Sequence, residues 1–113
     1  MQNDLIKRTS SFSKTLIDVL QLLPYSQINQ TIVDQLSRSG FSLGANYREA
    51  NETETKKDFL YRLRICRKES KETLYWLELL LHSNPEYIDN IVPLIDEVSQ
   101  LIRIFVAIIE KSR

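Results

Sequence analysis

Apolar residues recur along nearly the whole chain at alternating spacings of three and four, the period of an amphipathic helix. Four segments carry it. The first, about residues 4–23, places Leu5, Phe12, Leu16, Val19 and Leu23 on one stripe and is stopped by Pro24. The second, about 28–51, aligns Ile28, Ile32, Leu36, Leu43, Tyr47 and Ala50, with Ser26 as its N-cap. The third, about 56–82, runs through Phe59, Leu63, Cys66, Ser70, Leu74, Leu77 and Leu81 after a capping signal at Thr55 and Asp58. The fourth, about 85–111, opens on Asn84 and Pro85 and continues through Ile88, Ile91, Ile95, Val98, Ile102, Phe105 and Ile109. Pro93 falls inside this last pattern, where it either kinks the helix or marks where regular helix begins.

The links between segments are only a few residues long, so successive helices become antiparallel neighbours. The expected fold is all-α: an up-down-up-down four-helix bundle, with residues 1–113 as one domain. Gly40 and Gly44 lie four apart within the second segment. Each costs a helix about 1 kcal/mol against alanine. The apolar pattern resumes in phase after them, so close packing of another backbone on Gly40, Gly44 and Ala45 is preferred to a break.

Composition narrows the class. The 113 residues hold 2 Gly and 3 Pro, too few breakers for an all-β domain. A single cysteine excludes an internal disulfide framework. No apolar run approaches the roughly 20 residues of a membrane span, and the polar N-terminus lacks a signal peptide's apolar centre, so a cytoplasmic protein with no membrane partner is expected. Basic and acidic residues balance at 15 each. The balance hides an asymmetry: residues 7–71 are net basic and residues 72–113 net acidic. Either the fold keeps this polarity, giving a subunit that could stack head to tail or offer its basic end to an anion, or antiparallel folding mixes the charges in space.

The third helix carries more than one apolar stripe. Tyr61, Ile65, Trp76 and Leu79 lie roughly 120–180° around the helix from its core stripe. With two aromatics among them, they suggest a self-association surface. Glu69 and Glu72, with Lys68 and Arg48, would set its register by charge pairing. Lys57, Arg64, Lys68 and Lys71 share the edge of that face, and Arg38 and Arg48 add to them from the second helix as candidate contacts for the phosphates of RNA or DNA. Glu69 and Glu72 interleave with these bases, with Lys68 and Glu72 at pairing distance along a helix, so a solvated, salt-bridged face is preferred to nucleic-acid binding.

Catalytic signatures are missing. The one histidine, His82, lies 16 residues from Cys66, about 24 Å along a helix, too far for a nucleophile–base pair. Cys66 sits on the core stripe. Di-iron and zinc ligand spacings, phosphate loops and nucleophile elbows do not occur. Glu49, Glu69 and Glu72 could meet between the second and third helices, where carboxylates more often pair with arginine. No enzymatic activity, cofactor or metal is expected.

The segments Ser42–Phe59 and Arg62–Leu80 resemble the small bacterial four-helix-bundle proteins encoded in intervening sequences of 23S rRNA genes, relatives of accessory proteins of diversity-generating retroelements. The positions that carry the resemblance are Ser42, Asn46 and Glu49, then Lys57, Asp58 and Phe59, then Lys68, Glu69, Glu72, Thr73, Tyr75, Trp76 and Leu77. It implies a left-handed bundle, a homo-oligomeric ring of five subunits and no established enzyme activity. The retroelement relatives act with a reverse transcriptase and nucleic acid and are strongly basic, whereas this chain is neutral. It also has Ala50 where many members have glycine.

Overall fold

The computed structural model describes residues 2–112, which form four helices. These are α1 (Gln2–Leu22), α2 (Gln27–Ala50), α3 (Lys56–Ser83) and α4 (Ile88–Lys111). They make an antiparallel up-down bundle 44 Å long in which α1 packs on α2 and α4, and α3 packs on the same two. No described helix is long and apolar enough to cross a membrane.

Local chemistry sets the boundaries. Ser26 accepts a hydrogen bond from the Asn29 N–H and starts α2, and Thr55 accepts one from the Asp58 N–H and starts α3. Asn84, expected to cap the fourth helix, does not do so. Residues Pro85–Tyr87 form a 3-10 turn, and α4 begins only at Ile88. Pro93 therefore lies inside α4 rather than at its start. It is exposed, so water can satisfy the carbonyl left without its N–H partner.

Asn84 performs another task. Asn29 and Asn84 are almost fully buried, and each amide N–H donates to the other's carbonyl oxygen at 2.9 Å. The second N–H of Asn29 goes to the Pro24 carbonyl, that of Asn84 to the Leu80 carbonyl, and Ser83 donates to Asn29 Oδ1. All four amide protons are used. This closed network ties the α1–α2 connection to the α3–α4 connection at one end of the bundle.

The core follows the expected stripes with shifts. Ile28 and Ile88 are exposed, while Asn29, Leu94 and Leu101 are buried. On α3, Leu60 and Leu80 are buried, whereas Phe59, Leu74 and Leu81 are half-buried at the margin. Cys66 is buried as expected. Gly40 and Gly44 do mark a close approach, and the neighbour is α1: a Cβ on Gly40 would run into Leu16 Cδ2, and one on Gly44 would lie 3.3 Å from Thr9 Cβ. Ala45, grouped with them, faces outward.

Antiparallel folding does not mix the charges. When each helix is divided at its midpoint, the half holding the α1–α2 and α3–α4 connections carries 3 basic and 8 acidic residues. The half holding the α2–α3 connection carries 11 basic and 7 acidic among the described residues. Acids gather on both flanks of the α3–α4 turn, whereas the basic excess of the other half lies mostly along the first half of α3, the α2–α3 turn itself carrying Glu52 and Glu54.

Candidate nucleic-acid interface on the third helix

α3 packs against α2 on one flank and α4 on the other, which leaves a single outward stripe. Lys57, Tyr61, Arg64, Lys68, Lys71 and Tyr75 follow one another at spacings of 4, 3, 4, 3 and 4, and all six are exposed. The stripe is about 27 Å long at 1.5 Å per residue. Tyr61 and Tyr75 are 59% and 52% exposed, large values for tyrosine rings on a folded surface. Among the described residues none of the four cations forms an ion pair. Neighbouring like charges on a helix face disfavour the fold by a few tenths of a kcal/mol each. The stripe therefore contributes nothing to stability and leaves its donors free for an external anion.

The glutamates that had argued against this surface point elsewhere. Glu69 is only 7% exposed, and Arg38 on α2 reaches it at 3.4 Å. The other guanidinium nitrogen of Arg38 pairs with Glu72. The hydrogen bond from Arg38 holds the Glu72 carboxyl below its ordinary range, with the positive charge of Arg38 adding to it against partial desolvation. Glu72 thus pairs with Arg38 of the same subunit and not with Lys68. The buried Trp76 indole N–H lacks a hydrogen bond of good geometry, yet lies near enough to Glu72 to favour its ionised form.

The remaining candidate residues scatter over other surfaces. Ile65, Trp76 and Leu79 are half-buried, and Trp76 and Leu79 pack against the subunit's own core. Only Tyr61 of that set stands fully out. Arg48 and Glu49 do not join α3: with Ile6, Asn51 and Glu52 they line a hollow of about 250 Å3 on the α1 side of α2. Glu49 is therefore not on the α2–α3 seam with Glu69 and Glu72. Ser42 and Asn46 are linked by hydrogen bonds from the Asn46 amide at 2.9 Å, and Arg62 on α3 donates to Asn46 Oδ1 at 3.1 Å. These two polar positions act as a clasp between α2 and α3.

Tyr75 was missed as a member of the stripe, although its register four residues after Lys71 was visible in the sequence. Its ring meets the edge of Trp76 at a centroid distance of 5.1 Å. Cys66 donates weakly to the Leu43 carbonyl, and burial pushes its thiol up to about 12, so it is no nucleophile at neutral pH.

Comparison with known proteins agrees with the fold. The family model described as 23S rRNA-intervening sequence protein matches residues 1–107. Four chains among solved structures match. One is a protein of unknown function from the S23 ribosomal protein family of Bacteroides thetaiotaomicron, 28% identical, with a TM-score of 0.85 over 97% of this chain and 99% of that one. No curated protein matches.

Proposed function

Because the chain belongs to the 23S rRNA-intervening sequence protein family, we propose that it is a non-enzymatic binding protein whose α3 stripe contacts the phosphate backbone of structured RNA. The supporting observation is the row Lys57, Arg64, Lys68 and Lys71, none of them ion-paired among the described residues, with Tyr61 and Tyr75 in the same register and exposed Asp58 and Glu78 at its two ends. Cations fix the register along phosphates, and exposed tyrosines offer a face for an unpaired base.

Four phosphate contacts predict a slope of about −3 for log affinity against log salt, or roughly a hundredfold weakening between 50 and 200 mM salt. A gel shift with a structured RNA at those two concentrations tests it. Lys68→Ala should lower affinity and flatten the slope by about 1. No shift at low salt, or binding indifferent to salt, overturns the reading.

Exposed Tyr61 beside half-buried Ile65 favours a second reading, a homo-oligomeric scaffold with five subunits as the resemblance implies. Glu69 and Glu72 would then contribute to the interface only through their Arg38 clasp. Light scattering reads the mass directly. A monomer, or a mass unchanged by Tyr61→Ala, removes this reading.

A further inference from the structure

Arg38 on α2 serves two carboxylates of α3. It donates to Glu69 through one terminal guanidinium nitrogen at 3.4 Å and to Glu72 through the other. The nitrogen that meets Glu72 also reaches Gln35 Oε1, one turn back on α2, at 3.5 Å. Both terminal nitrogens are therefore committed, and the half-exposed side chain is fixed along the α2–α3 seam.

These two acids are the ones that could close the basic row. Asp58 and Glu78 stand at the ends of the row, and of the acids on α3 only Glu69 and Glu72 fall along its middle. Glu69 is nearly buried and turned toward α2. Glu72 is partly exposed, one turn after Lys68 and about 40° around the helix from it, the spacing at which lysine and glutamate pair. Lys68 nevertheless has no ion pair among the described residues, because Glu72 turns to Arg38 instead. Without that guanidinium, two uncompensated carboxylates would lie beside the row, and the cation one turn away from Glu72 on its own helix would be Lys68.

We propose that Arg38 is a positioning residue for the α3 stripe: it holds Glu69 and Glu72 toward α2 and so leaves Lys68 open to an external phosphate that Arg38 does not itself touch. The inference rests on the reading of the stripe as a phosphate-contacting surface. A phosphate could take Arg38 only by displacing a carboxylate, which would then stand unpaired beside that same phosphate and repel it. Arg38 thus adds no contact to the anion. It removes a competitor, inside the molecule, for the middle cation of the row. Exposed lysine–glutamate pairs are weak, so the gain is a few-fold in affinity and not a switch between binding and none.

Two variants and a control test it. Arg38→Gln frees Glu72, and Arg38→Gln with Glu72→Gln removes both partners and restores the net charge. Arg8→Gln removes the same charge from the α1–α4 seam, where Arg8 pairs with Glu97 at 2.7 Å. Circular dichroism checks that each is folded. Without RNA, the rate at which an amine-acylating reagent modifies Lys68 is read by mass spectrometry. It should fall about twofold in Arg38→Gln, since an ion pair holds the amine protonated, return in the double variant and stay unchanged in Arg8→Gln. Binding to a stem-loop RNA at about 50 mM salt should weaken about threefold in Arg38→Gln, with a flatter salt slope, and both should recover in the double variant. Arg8→Gln should change binding less. Equal Lys68 rates in wild type and Arg38→Gln overturn the proposal whatever the RNA does. A salt slope still flattened by about 1 in the double variant makes Arg38 a phosphate contact and overturns it too. So does a loss in Arg8→Gln as large as in Arg38→Gln, which would show net charge alone at work. If the wild type binds no RNA, the phosphate reading falls, and the Lys68 rates still decide whether Arg38 controls that lysine.

Discussion

The two glycines are where a single atom decides the packing. Gly40→Ala gains about 1 kcal/mol of helix propensity but drives its Cβ into the fully buried Leu16 side chain, and overpacking of that kind costs about 1–3 kcal/mol. Urea unfolding should show Gly40→Ala less stable than wild type by up to about 2 kcal/mol. Gly44→Ala, whose neighbour needs to give only a few tenths of an ångström, should stay within about 1 kcal/mol. Periodicity that resumed in phase made the close approach legible in the sequence, but not which helix approached. Arg38 was the opposite case: no spacing rule links it to Glu69 and Glu72 from a different helix. Its pairing has a pH signature. A carboxylate held below its ordinary range stabilises the fold at neutral pH and down to the unfolded glutamate pKa of about 4.3, and that contribution is lost as pH falls through the folded value. The stability difference between wild type and Arg38→Gln should therefore be present at pH 7 and vanish in acid. A difference unchanged with pH would show that the ion pair is not its source.

Among the elements, α3 was the hardest to read because it has neighbours on both flanks. A wheel drawn for one buried stripe places Phe59, Leu74 and Leu81 in the core and Trp76 and Leu79 opposite. The real buried arc spreads both ways, taking in Leu60 and Leu80, with half-buried Trp76 packed against it. Trp76→Ala should accordingly lower stability by about 2–4 kcal/mol in thermal or urea unfolding, with any loss of assembly secondary to that. An unchanged midpoint would return Trp76 to the surface. The connections hold a second element-scale device. Asn29→Ala or Asn84→Ala strands a buried amide, at about 2 kcal/mol each. The double variant should cost less than their sum by about 1–3 kcal/mol. Additive costs would mean the two amides act separately. Asn84 before Pro85 looked like a helix cap, and only the tertiary position of Asn29 reveals its other use. The number, type and approximate limits of the helices were legible throughout, because caps and periodicity are local, whereas the pairing of polar side chains is not.

At the scale of the whole molecule, the zero net charge was the least informative number in the sequence, since it says nothing about where the charges go. Sorting by end was open to either outcome until the α3–α4 turn was seen to lie between acidic segments and the basic first half of α3 to lie at the other end. Such sorting has a kinetic meaning. A neutral body is not drawn along a uniform field, but one with opposite poles is turned by it. In the steep field near a polyanion the bundle should rotate so that its basic half arrives first, and α3 lies partly in that half. What the charges supply to such an encounter is alignment before contact. The capture rate should therefore fall with added salt even though the protein carries no net charge, as stopped-flow mixing would read. Dielectric relaxation of the free protein should reveal a permanent moment, reduced when Lys56→Glu and Lys111→Glu erase part of one pole.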